Sequence, residues 1–227
     1  MRDKAIIVTG GFGVLGGAVT EAALAAGAYV AIPARGQADK IPARDRLMVL
    51  GGVELTDFAA TKQAIDEVAA HFGKVDGLAN VAGGFRWQTL ADGDLSGWTD
   101  LFRMNLLTAV TATKAALPHL RATQGAIVNV GSAPAKKAGA GMGAYAASKA
   151  GVLRLTESVA EEEKNAGVRV NAVLPTIIDT PRNRADMPKA EFSRWVKPED
   201  IAKAILFLLS DSAAAITGAE LLISGRT

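Results

Sequence analysis

The chain contains no cysteine, and that absence removes disulfides, thiol catalysis and thiolate metal sites together. It also fits a reducing compartment, so the cytosol is the expected location. Only two histidines occur. His71 and His119 lie far apart without ligand spacing, each closing a helix-like segment where a cation is mildly favourable, so no metal site is expected. No apolar run approaches the ~20 residues a membrane span requires. The positive start, Met1 to Lys4, leads into only Ala5 to Val8 before polar Thr9, too short a stretch for a signal peptide. Neither charge sign accumulates, because 25 Lys and Arg against 23 Asp and Glu leave a net +2, scattered without a basic run. Binding to nucleic acid or to a membrane surface is not expected.

What the sequence does have is apolar bulk and glycine. At 227 residues, 49% hydrophobic and with 24 glycines, it suits one large domain over residues 1–227 with a substantial core. Short Val- and Ile-rich runs alternate with longer Ala-rich or amphipathic segments, the pattern of a parallel sheet wrapped by helices. Strands are expected near 4–9, 28–33, 47–50, 76–81, 125–131, 168–174 and 220–224. Helices are expected over 14–26, 57–72, 97–121, 143–165 and 198–210. Runs such as Ala5-Ile6-Ile7-Val8 and Ala126-Ile127-Val128 are apolar on both faces, as buried parallel strands must be. The fold class that follows is α/β, a Rossmann-type doubly wound parallel sheet of about seven strands. Only 175–197, broken by prolines, lacks a regular pattern, and its part 176–197 is a candidate substrate lid.

Two motifs carry chemistry. Thr9-Gly10-Gly11-Phe12-Gly13-Val14-Leu15-Gly16 follows the first strand and opens the first helix, the setting a dinucleotide fingerprint needs. Gly11, Gly13 and Gly16 fit G-x-G-x-x-G, where absent side chains let backbone N–H groups approach a pyrophosphate. Tyr145 and Lys149, four apart in an expected helix, share one face and form a candidate acid–base pair, since a nearby cation favours the phenolate. Trp87, Trp98 and Trp195 read as packing residues, with one substrate contact expected among them.

With these motifs in this order the chain resembles the short-chain dehydrogenase/reductase family almost end to end. Leu78-Ala79-Asn80-Val81-Ala82-Gly83 is similar to its N-N-A-G segment, with Ala79 in place of the first Asn. Asn105 stands at its helix asparagine, Ser132 thirteen residues before Tyr145, and Tyr145-Ala146-Ala147-Ser148-Lys149 is its Y-x-x-x-K. Val170 to Pro175 and Ile216-Thr217-Gly218 also match family segments. The resemblance implies that Tyr145 exchanges a proton at the substrate oxygen and that Ser132 bonds the same oxygen. It further implies that Lys149 lowers the phenol's pKa and holds the nicotinamide ribose, and that Asn105 holds a water. Asn80, Ala82, Gly83, Pro175, Ile178 and Thr180 would complete the cofactor wall. Three departures stand out: Val14 where the family keeps its middle glycine, Thr176 where a glycine follows Pro175, and the tail Ser224-Gly225-Arg226-Thr227 in place of an acidic residue and paired glycines.

At the end of the second expected strand, Ala34 occupies the place of the carboxylate that binds the ribose of NAD, and Arg35 follows, suited to a 2′-phosphate. NADP(H) is therefore favoured over NAD(H), although a solvated surface Arg35 remains the competing reading. Asp57 either caps the following helix or contacts adenine, capping being the better fit. The expected activity is NAD(P)(H)-dependent hydride transfer on a small carbonyl or alcohol. Residues 179–195 also resemble the matching stretch of dihydropteridine reductases, which makes reduction of a quinonoid ring an alternative, and a catalytically silent dinucleotide sensor is another. Ala- and Leu-rich faces on 97–121 and 143–165 exceed what one sheet face needs, so a homo-oligomer, dimer or tetramer, is expected.

Overall fold

The protein is described by a computed structural model covering residues 1–36 and 44–226. Strands β1 (Ala5–Thr9), β2 (Tyr29–Pro33), β3 (Leu47–Leu50), β4 (Gly77–Asn80), β5 (Ala126–Val130), β6 (Arg169–Pro175) and β7 (Glu220–Ile223) form one sheet in the order β3-β2-β1-β4-β5-β6-β7. Every neighbouring pair is parallel. Each crossover needs a helix or long connection: α1 (Val14–Ala25), α2 (Phe58–Phe72), α4 (Thr108–Thr123), α5 (Gly143–Glu162) and α7 (Pro198–Leu209), with short α3 (Ser96–Leu101) and α6 (Pro181–Asp186) between them.

Alternation along the strands builds the two faces. Ile6 and Val8 pack into one cluster with Val19 of α1 and Ile201 and Ile205 of α7, while Ile7 between them joins Ile65 of α2 and Ala112 and Leu120 of α4 on the other face. Both isoleucines of β1 are fully buried, each worth ~1.5–3 kcal/mol of apolar transfer. This double covering explains why the strands read as continuous apolar runs. The order of winding reverses at β1 and β4, and a crevice opens beyond their carboxyl ends.

The structure departs from the sequence-based expectations in two places. The helix expected over 97–121 is interrupted by a π-helical turn at 102–107, between α3 and α4. Asn105 in this wider turn is buried, as are Leu101 before it and Ala109 and Ala112 after it. The segment 175–197 is more ordered than its prolines suggested. Thr180 caps α6 by accepting from Asn183 N, and Pro181 occupies its first turn, a helix-start signal rather than a breaker. Val196 N bonds Ile177 O and Asp179 N bonds Val196 O, at 2.9 and 2.8 Å, and Trp195 and Val196 are buried. The tail returns to this segment through Arg226 N to Arg194 O, 3.0 Å; Thr227 lies outside the described residues. No helix among the described residues is long and apolar enough to cross a membrane.

Candidate active site

The crevice is a cleft of about 1530 Å³. Its floor is the turn from β1 into α1. Gly10 has a left-handed φ of 67°, and a Cβ there would stand 2.9 Å from the Ala82 backbone. A Cβ on Gly16 would fall 2.1 Å from Gly10 O, so neither position tolerates a side chain. Val14 extends into the cleft mouth half-exposed, and the turn keeps its tight form without the family's middle glycine. Helix α1 has no side-chain cap and no acidic residue in its first turn, leaving N–H groups and the positive end of the helix facing the cleft. Gly10 to Gly16, Ala34 and Arg35 all line it. The backbone of Ala34 is fixed by bonds to Leu50 O and from Val53 N, both 2.9 Å. That tie fixes where Arg35 leaves the sheet, and among the described residues Arg35 has no ion pair.

The catalytic candidates converge from three elements. Ser132 stands just past β5, and Tyr145 and Lys149 lie one turn apart near the start of α5; all three line the cleft. Burial pushes the Tyr145 phenol up, while a hydrogen bond with Ser132 pulls the other way. Lys149 is buried, donates from Nζ to Val130 O at 2.7 Å, and its pKa falls to about 8 through burial. Asn105 lies behind them. Its Oδ1 accepts from Gly84 N at 2.8 Å, and Nδ2 donates to Gly84 O and to Ser148 Oγ at 3.1 and 3.0 Å. Ser148 Oγ in turn donates to Tyr145 O. A Cβ on Gly83 would meet Asn105 Oδ1 at 2.6 Å and Lys149 Nζ at 3.3 Å, which places amide and ammonium around one glycine. The Asn105 side chain is thus committed to the loop after β4 and to α5.

Other expected cofactor residues divide. Ala82, Gly83, Pro175, Ile178 and Thr180 line the cleft. Asp57 does not: its carboxylate caps α2 by accepting from Ala59 N and Ala60 N at 2.8 and 3.1 Å, and its neighbours Leu55 and Thr56 reach the wall instead. Asn80 is also set back, donating to Thr113 Oγ1 and Asn129 Oδ1 at 3.1 and 2.9 Å beneath the floor. Thr176 takes the place of a glycine without left-handed backbone, bonding Ile223 O through N and Ser224 O through Oγ1.

The motifs left some cleft residues unmarked. Phe85 stands edge-on to the Tyr145 ring, centroids 4.9 Å apart at 87°. Its position two residues past Gly83 was the available signal. None of the three tryptophans lines the cleft; Trp87 Nε1 bonds Ala140 O at 3.0 Å, joining the loop after β4 to the one before α5. Among the described residues no group of three His, Asp or Glu is placed to hold a metal, and His119 contacts Asp66 at 2.8 Å.

Known proteins share this architecture. The chain is 33% identical to 2-(S)-hydroxypropyl-CoM dehydrogenase 3 of Xanthobacter autotrophicus, over 99% of this chain and 96% of that one. It is 30% identical to the meso-2,3-butanediol dehydrogenase of Serratia marcescens, over 98% and 94%. An NADPH-bound short chain oxidoreductase of Pseudomonas aeruginosa PAO1, described as containing an atypical catalytic centre, superposes with a TM-score of 0.89 at 29% identity, covering 98% of this chain and 96% of that one. The short chain dehydrogenase family profile matches residues 4–191, from the first strand through α5 and into the segment after β6. The chain therefore belongs to the short-chain dehydrogenase family, as an oxidoreductase on a dinucleotide-binding fold.

Proposed function

We propose that the protein interconverts a small carbonyl compound and its alcohol with NADP(H) favoured over NAD(H), Tyr145 exchanging the proton at the substrate oxygen. The observation that carries this reading is the convergence of Ser132, Tyr145 and Lys149 on one wall of the cleft whose floor is the uncapped, glycine-lined start of α1. The residues present fit a dinucleotide. N–H groups of the turn would receive the pyrophosphate, Arg35 the 2′-phosphate and Lys149 the nicotinamide ribose. When bound, the nicotinamide supplies or accepts a hydride at the substrate carbon.

The chain's own residues manage the charge that this creates on oxygen. As the carbonyl carbon gains the hydride, the C=O π pair moves onto oxygen, where the Ser132 hydroxyl donates a hydrogen bond. The Tyr145 O–H bond then breaks towards that oxygen, leaving a phenolate that the Lys149 ammonium favours. Burial raises the pKa of the Tyr145 phenol, which keeps it protonated and suits it to act as the acid in reduction. Asn105 acts through Gly84 and Ser148, keeping the loop after β4 against the catalytic helix.

The experiment is Tyr145→Phe, assayed against ketones, quinones and quinonoid pterins by absorbance of the reduced nicotinamide. Turnover should fall by ~10²–10⁴ while cofactor affinity stays within about threefold, because only the acid is deleted. Retained turnover rejects Tyr145 as the acid. A response to quinonoid pterins alone moves the assignment to ring reduction, and cofactor binding with no turnover of any class moves it to a sensor.

A further inference from the structure

The chain is almost neutral, with 25 basic and 23 acidic residues, yet the cleft wall is not. Arg35, Arg86, Arg103, Lys137, Lys149 and Arg182 line it, against only Glu54 and Asp100 among the described residues. Asp100 already contacts Arg86 at 3.4 Å. Glu54 belongs to the stretch that follows β3, where it accepts from Thr56 N and Oγ1 at 3.2 and 3.1 Å.

The contrast between neighbouring cations is informative. Lys136 pairs with Glu220, but Lys137 beside it has no carboxylate partner among the described residues and lines the cleft. In α6, Arg184 is gripped through two bonds by Asp179 at 2.6 and 2.7 Å. Arg182, two residues earlier, is 80% exposed and among the described residues has only Asp186 at 3.6 Å, one turn further along its own helix. Each segment thus neutralises one cation and presents the other to the same cleft. Lys137 lies five residues after Ser132 on the stretch that leads to Tyr145, and Arg182 two residues after the Thr180 cap. Two segments thus add positive charge to the lining of one cleft, which raises the local concentration of anions there.

We propose, building on the carbonyl–alcohol reading above, that the substrate carries an anionic group, a carboxylate, sulfonate or phosphate, received by Lys137 and Arg182. The cofactor's phosphates have separate receivers in the start of α1 and in Arg35. Lys137 and Arg182 are therefore substrate-binding residues, and the group they receive sets which carbonyl compounds enter.

The probes are 4-oxopentanoate against its methyl ester, and hydroxyacetone phosphate against hydroxyacetone, with wild type and the double variant Lys137→Gln/Arg182→Gln. Wild type should favour the charged member of at least one pair by about tenfold or more in kcat/KM, with the margin shrinking as salt rises. Whichever pair responds identifies the anion. In the double variant the margin should close through KM, while NADPH affinity measured by fluorescence is unchanged. Equal use of acid and neutral partner by wild type overturns the proposal. So does a double variant that loses NADPH affinity, which would assign the two cations to the cofactor. If no carbonyl compound is turned over, the carbonyl reading fails separately. Calorimetry of the same pairs against the enzyme–NADPH complex then decides the anion question, and absent or equal binding overturns it.

Discussion

Lys149 offers the sharpest test, because its proposed function and its burial oppose each other. The ammonium is 4% exposed, has one hydrogen bond, to Val130 O at 2.7 Å, and among the described residues no carboxylate partner. Burial lowers its pKa from 10.5 to about 8. At about 1.36 kcal/mol per tenfold, keeping it charged below pH 8 costs the native state ~3 kcal/mol. Below pH 8 both states are protonated and the cost is borne in full. Between 8 and 10.5 the native protein loses the proton first, the unfolded chain binds more protons, and stability rises with pH. Above 10.5 the cost is gone. Lys149→Met removes the charge and fills similar space, but gives up the bond to Val130 O, worth ~1–2 kcal/mol. The ligand-free variant should therefore be more stable than wild type at pH 7 by ~1–2 kcal/mol, a rise of roughly 2–8 °C in Tm for a chain of this size. Going to pH 10 should move the difference against the variant by ~2–3 kcal/mol, which cancels or reverses its advantage, even as turnover and cofactor affinity are lost. Urea denaturation of both proteins at pH 7, 8.5 and 10 measures it. A variant less stable at pH 7, or a difference that does not move with pH, would refute the account of a buried, charged and unpaired lysine.

Three further outcomes are expected. Wild type should bind NADPH more tightly than NADH, and Ala34→Asp should reverse the order through repulsion of the 2′-phosphate and a new acceptor for the ribose, each ~1–3 kcal/mol; an unchanged ratio in titrations of both cofactors would mean that Ala34 does not face the ribose. Asp57→Ala should cost ~1 kcal/mol of stability through loss of the α2 cap and leave NADPH affinity intact, whereas weakened binding at unchanged stability would restore the adenine contact. Sedimentation at micromolar concentration should give a dimer or tetramer, in keeping with the half-exposed Phe102 on the first of the two helical stretches expected to associate; a monomer would mean that this side chain stays in water.

The parts of this protein visible in its sequence are those where one residue type has one physical use. The strands could be placed to within a residue or two because their faces are packed by helices, so their runs are mostly apolar, with buried Asn129 and Asn171 the main polar breaks in β5 and β6. The start of α1 was equally plain, since Gly10 and Gly16 admit no other residue. Residues whose use depends on partners far along the chain were harder. Asp57 has the same one-letter identity as cap or as adenine contact, and only the direction of its carboxylate separates the two. Asn105 could be aligned with a family position, but its bonds to Gly84 and Ser148 depend on a π-helical turn that helical periodicity does not mark. Spacing puts Lys149 beside Tyr145 on one helix face, yet its ammonium donates to Val130 O, a partner on β5 nineteen residues away that the spacing does not mark. The same limit applies to the charge of the cleft. A net +2 spread along the chain excludes a basic run, but folding gathers cations from six separate segments around one cleft, and that surplus exists only in three dimensions.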